Sequence, residues 1–191
     1  MFDLLDDHSE IKLLHEIDGY NAKPIIVDEQ YIKDNNIKNI VYRGLEDYKE
    51  ITADKMIEQF KKGDLYPGGG VFGNGTYTTD HLEEALDVYA NNMKQNVIKM
   101  GISNDAKIIK YDDLIAQKQK VLALPESNTE EFLTKQLLLN EGNLAEALGY
   151  DVIEIDKIAE RMEQWHRRST VLDENTKYYL ILNRGKVYVV E

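Results

Sequence analysis

The sequence predicts a single α+β domain. Three observations carry that expectation. The 191 residues suit one domain, and 42% of them are hydrophobic, enough to fill a core. No repeat, low-complexity run or Pro/Ser-rich linker divides the chain, which has 3 prolines. Strand-like and helix-like stretches are mixed without the strict alternation of a doubly wound sheet.

The elements follow in order. Ser9 caps a helix with Ile11, Leu14 and Ile17 on one side, and Gly19 ends it. This gives a short N-terminal helical part at about residues 1–36, continuing into the extended run "YNAKPIIV". "NIVYRG" (39–44) is an apolar run stopped by glycine, the pattern of a buried strand. "TADKMIEQFKKG" puts Ala53, Met56, Ile57 and Phe60 on one helix face, with Thr52 as cap and Gly63 as stop. Residues 77–79 read as a strand. It enters a helix whose capping box is Asp80 and Glu83 and whose apolar face is Leu82, Ala85, Leu86 and Tyr89. "NVIKMGI" and "AKIIKY" read as paired strands turning at "SNDA". Helical patterns cover 112–123 and 129–140, and "NLAEALGYDVIEID" is a short helix, a glycine stop and a strand. Residues 157–168 are again helical, and "KYYLILNRGKVYVVE" reads as a hairpin-like end around "NRG".

Composition narrows the function classes. The absence of cysteine removes disulfides, zinc ribbons and thiol nucleophiles. Four scattered histidines without ligand spacing predict no metal site. A net charge of −12 makes general nucleic-acid binding unexpected, since phosphate contacts need a basic surface. The acidity reads first as solubility. No run of about 18 apolar residues predicts a membrane span, and the acidic start "MFDLLDDHSE" does not read as a signal peptide. A cytoplasmic setting is expected.

Two features point to chemistry. Arg43 follows apolar residues on the strand and precedes Gly44. An arginine there needs an anionic partner, either a carboxylate of this chain or a ligand phosphate. The second feature is "GGGVFGNGTYTTD" (68–80), which holds Gly68, Gly69, Gly70, Gly73 and Gly75 before Tyr77. No Gly-Lys-Ser/Thr follows, so it is not a P-loop, and its spacing does not suit a Rossmann loop. Alone it reads as a turn.

Together, "VYRG", "GVFGNGTYTT" and a helix ending "VYA" resemble the ADP-ribosyltransferase superfamily. The first motif is similar to the strand-one "YRG" of the Arg-Ser-Glu toxins. The second is more similar to the "G-x-G-x-Y" of the poly-ADP-ribose polymerases. The end, "YYLILNRGKVYVV", resembles the toxin strand "E-x-E-V-L-L-P-R-G-x-x-Y-x-V". Across most of the chain, "LLHEIDGYNAKPIIVDE", "QFKKGDLYPGGGVFGNGTYTT" and "LGYDVIEI" add a likeness to the ADP-ribosyltransferase-like domain of bacteriophage minor head proteins.

The resemblance implies a split β-sandwich of two mixed sheets flanked by helices. It implies a mono-ADP-ribosyltransferase or NAD glycohydrolase, phage-encoded, acting in the host cytoplasm or the virion on a host protein acceptor. NAD would be the substrate, with no metal. Arg43 would hold NAD by a phosphate or the nicotinamide-side ribose, and Gly44 would offer backbone groups to the carboxamide. Tyr77 would stack on the nicotinamide. Thr78 and Thr79 would brace the pocket, and Gly75 would let the dinucleotide lie close.

One element of the family pattern is missing. Glutamates normally stabilise the oxocarbenium-like ribose. Aligning "ILNRG" with "LLPRG" puts Lys177 and Tyr179 at those positions. Glu174, beside Asp173 in "VLDENTKYY", is the preferred substitute acid, and Glu154 is another; each also reads as an ordinary surface residue. The missing glutamates admit an alternative: a catalytically inactive binding module acting in virion assembly or on a host protein.

Overall fold

A computed structural model of the chain describes residues 22–64, 68–70, 72–125, 128–156 and 175–191. Among these residues the chain forms an α+β fold with nine strands and six α-helices. The helices expected at 9–19 and 157–168 lie outside the described residues.

The N-terminal part is not wholly helical. It carries strand β1 (Ile25–Val27) before helix α1 (Glu29–Asp34), and β1 pairs in parallel with β9 (Val187–Val190). Strand β2 (Asn39–Gly44) has the bounds its apolar run suggests. Helix α2 (Ala53–Lys62) has the expected ends: Lys55 N donates to Thr52 Oγ1 at 3.4 Å, and Gly63 terminates it at φ +83°. Its Phe60 is 1% exposed, and burying a side chain of that size contributes about 1.5–3 kcal/mol.

The glycine stretch forms a hairpin, β3 (Gly68–Gly70) against β4 (Gly73–Thr79). Asn140 anchors it. Its Oδ1 caps α6 (Glu141–Ala147) and also accepts from Asn74 N at 3.0 Å. Helix α3 (Leu82–Tyr89) follows β4, but without the expected capping box. The cap position is His81, and Asp80 Oδ1 instead accepts from Lys177 N at 2.9 Å, tying the helix start to a distant strand.

Strands β5 (Val97–Ile102) and β6 (Ile108–Lys110) form where expected but do not pair. Both edges of β5 are taken, by β2 and β9, and β6 pairs in parallel with β7 (Val152–Ile155). Helices α4 (Tyr111–Leu122), α5 (Thr129–Leu138) and α6 occupy the segment between them. The C-terminal runs likewise form no hairpin. Strand β8 (Tyr178–Ile181) lies between β4 and β7, whereas β9 lies between β1 and β5. "NRG" is the crossover: Asn183 Oδ1 caps a 3-10 turn over Arg184–Lys186, and Arg184 is buried with Nη2 donating to Gly63 O at 3.0 Å.

The strands build one curled, half-barrel sheet, ordered β1-β9-β5-β2-β4-β8-β7-β6 with β3 appended to β4. The expected two-sheet sandwich is therefore corrected. Pairing between Tyr42 and Thr79 joins the halves into one hydrogen-bonded path. Alternation along β7 and β8 supplies both cores. Ile153, Ile155 and Leu180 pack under α4 and α6, and Val152, Tyr179 and Ile181 pack with Phe60 on the other face.

Candidate functional site

The joint between the halves is narrow. β2 and β4 are in register at Tyr42 and Thr79. Beyond that point Arg43 and Gly44 stay with β5, and Thr78 and Tyr77 stay with β8. A mainly apolar cleft of about 190 Å³ opens where the strands part. Arg43, Gly44, Gly75, Tyr77, Thr78 and Thr79 all line it. Residues distant in sequence thus meet at one place because the sheet divides there.

Arg43 projects to the face that carries Val41 and Leu45. Its guanidinium lies 5.6 Å from the centroid of the Phe60 ring, a cation–π contact. Nη1 is buried with no hydrogen-bond partner, and no carboxylate among the described residues pairs with it. Burial, then the nearby charge of Arg184, pulls its pKa down to about 10. It remains a cation at neutral pH. Of the two partners the sequence allows, an internal carboxylate is absent from the described residues.

Gly44 has two roles. A Cβ on it would lie 2.2 Å from Ala85 O and 2.7 Å from Tyr89 Cβ, so glycine is needed for α3 to dock. Its backbone faces the cleft. Leu45 N donates to Asn96 O at 2.9 Å, so by the alternation of an antiparallel ladder Val41, Arg43 and Leu45 direct their backbone groups at β5. Tyr42 and Gly44 direct theirs the other way. Tyr42 meets Thr79 there, and Gly44, one pair further on, meets the cleft.

Tyr77 lines the cleft with its ring, while its hydroxyl belongs to the glycine turn. It donates to Gly73 O at 2.8 Å and accepts from Phe72 N at 3.0 Å. Burial raises its pKa to about 12, so it stays a neutral donor. Gly75 lies against β8, with a hypothetical Cβ 2.7 Å from Leu180 Cδ1. Thr78 Oγ1 donates to Tyr179 O at 2.8 Å, and Thr79 Oγ1 accepts from His81 N at 3.2 Å.

The acid candidates divide. Glu174 and Asp173 lie outside the described residues. Glu154 is opposite Tyr179 and accepts from Lys177 Nζ at 2.9 Å. Register places Thr78, Tyr179 and Glu154 side by side on one face of β4, β8 and β7. Arg43, one residue past the Tyr42–Thr79 pair, shares that face. Tyr179 and Lys177, the residues expected at the glutamate positions, lie beside the carboxylates of Glu154 and Asp80. Burial first, then the Glu154 charge, raises the Tyr179 pKa.

Three residues escaped sequence reasoning as site residues. Tyr89 and Tyr178 line the cleft, their hydroxyls 2.9 Å apart, and Tyr178 donates to Glu84 Oε1 at 2.5 Å. Glu84 is 1% exposed. In "DHLEEALDVYA" nothing singles it out beside Glu83, the expected capping-box residue. Tyr178 on β8, 94 positions away, makes it different. Among the described residues no group of three or more His, Cys, Asp or Glu is placed to hold a metal. No helix among them is long and apolar enough to cross a membrane.

No protein-family profile matches the chain, and no curated protein or solved structure matches it either.

Proposed function

We propose that the cleft binds NAD and that the protein is an ADP-ribosyltransferase-like enzyme, cleaving the nicotinamide–ribose bond and passing ADP-ribose to a protein or to water. The observation that carries this reading is Arg43: it lines an apolar cleft, and its buried Nη1 has no hydrogen-bond partner among the described residues. Leaving such a group unpaired costs on the order of 1–3 kcal/mol, and a phosphate oxygen would satisfy it. The backbone of Gly44 offers a donor and an acceptor to a carboxamide, and the Tyr77 ring offers a flat face. At about 190 Å³ the cleft falls below the roughly 300–1,000 Å³ of pockets that enclose a whole ligand. It suits the nicotinamide end, with the remaining dinucleotide lying more openly along the strands. Glu174 is the candidate acid, and Glu154 is the carboxylate beside the Tyr179 slot. The likeness to phage minor head proteins suggests a host protein as acceptor, met in the host cytoplasm or from the virion.

The occupants of the glutamate slots, Tyr179 and Lys177, favour a second reading. In it the cleft binds NAD weakly or not at all, and the domain serves virion assembly or holds a host protein. Incubation with NAD labelled in both halves, with and without host lysate, separates the two. The enzyme releases nicotinamide, and Glu174→Gln slows that release at least about a hundredfold if Glu174 is the acid. Binding without release supports the module. Release that Glu174→Gln leaves unchanged moves the acid role to Glu154, tested by Glu154→Gln.

A further inference from the structure

The polar wall of the cleft has a direction. Tyr178 has one hydroxyl proton, and it goes to Glu84 Oε1. The 2.9 Å contact between the hydroxyls of Tyr178 and Tyr89 must then be donated by Tyr89. With its proton committed, the Tyr89 oxygen can only accept. A buried carboxylate thus propagates its demand for protons through two tyrosines to the cleft surface. On this wall of the cleft the acceptor is Tyr89.

We propose that the Glu84–Tyr178–Tyr89 chain is a specificity device, in which the Tyr89 oxygen accepts an N–H of a ligand carboxamide and rejects the corresponding carboxylate. This rests on the reading of the cleft as a nicotinamide-dinucleotide site. Gly44 gives the proximity: a Cβ there would fall 2.7 Å from Tyr89 Cβ, so a carboxamide held by the Gly44 backbone has the Tyr89 side chain as its neighbour. A carboxylate in the same place brings a negative charge and no proton. It meets the lone pairs on the Tyr89 oxygen, in an apolar cleft where a charge without a donor is poorly solvated. A site built to accept from an N–H rejects an isostere lacking it far more sharply than shape could, since the two ligands differ little in size. Glu84 and Tyr178 act through Tyr89 and are positioning residues.

The test compares NAD with its nicotinic-acid counterpart by calorimetry on the full chain, in the parent, Tyr89→Phe and Tyr178→Phe. The expected result is at least about a tenfold preference for NAD in the parent. That preference collapses in Tyr89→Phe and shrinks in Tyr178→Phe, while melting temperatures report folding independently. A purely structural role would lower stability and weaken both ligands together, leaving their ratio unchanged. Equal affinity in the parent, or a ratio unmoved in both variants, overturns the specificity proposal and leaves the NAD reading standing. Binding of neither ligand to the folded parent overturns both.

Discussion

At the scale of single residues, Arg43 and Tyr77 divide two tasks. Arg43 is costly to the fold, buried beside Arg184 with Nη1 unsatisfied. Replacing such a cation with an apolar side chain of similar length often stabilises a protein. Arg43→Met is therefore expected to raise stability by about 1 kcal/mol in urea denaturation while abolishing NAD binding. Lower stability would mean that the guanidinium has a structural partner. Tyr77 has the opposite character, because its hydroxyl bridges Gly73 and Phe72. Tyr77→Phe leaves the ring for stacking and removes the bridge, so stability should fall by about 1–3 kcal/mol with a smaller loss of affinity. Denaturation and calorimetry on one preparation check both.

At the scale of elements, α3 packs on Gly44 of β2 and α6 on Gly73 and Asn74 of β4. α3 sits on Gly44 so closely that Gly44→Ala must push the helix or the strand aside. A loss of about 3 kcal/mol is expected, at the upper end for overpacking, since backbone atoms cannot yield as a side chain can. α6 contains Glu146, whose Oε2 is buried without a hydrogen-bond partner and whose carboxyl is raised by burial from 4.5 to about 8. The folded state prefers the protonated form. Its contribution is complete below pH 4.5 and lost as pH rises through about 8. Glu146→Gln keeps the shape without the charge, so at pH 9 the variant should exceed the parent by several kcal/mol, about 5 at most, with the gap closing toward pH 4.5. Denaturation at the two pH values measures it, and a gap independent of pH would show that the carboxylate is solvated.

At the scale of the molecule, element types were more legible than their partners. Thr52 and Gly63 bracket α2, and "NIVYRG" is β2, because local capping and apolar runs act locally. The pairings of β5 with β6 and of β8 with β9 were misread from nearness in sequence, when both are crossovers governed by which strand edges were already taken. The apolar runs do not carry the register by which Tyr42 and Thr79 join the halves and turn two expected sheets into one. The site was partly legible: Arg43, Gly44, Gly75, Tyr77, Thr78 and Thr79 share one cleft, whereas Glu84 and Tyr178 gain their meaning from a contact between α3 and β8. The proposed function makes the parting of the sheet a ligand site with Arg43 as its anion anchor. Calorimetric titration of NAD into the parent and into Arg43→Ala tests that claim most directly. The account predicts one NAD per chain for the parent and at least about a tenfold loss of affinity in a folded Arg43→Ala variant. No binding to the parent at millimolar NAD, or equal binding by the variant, would contradict it.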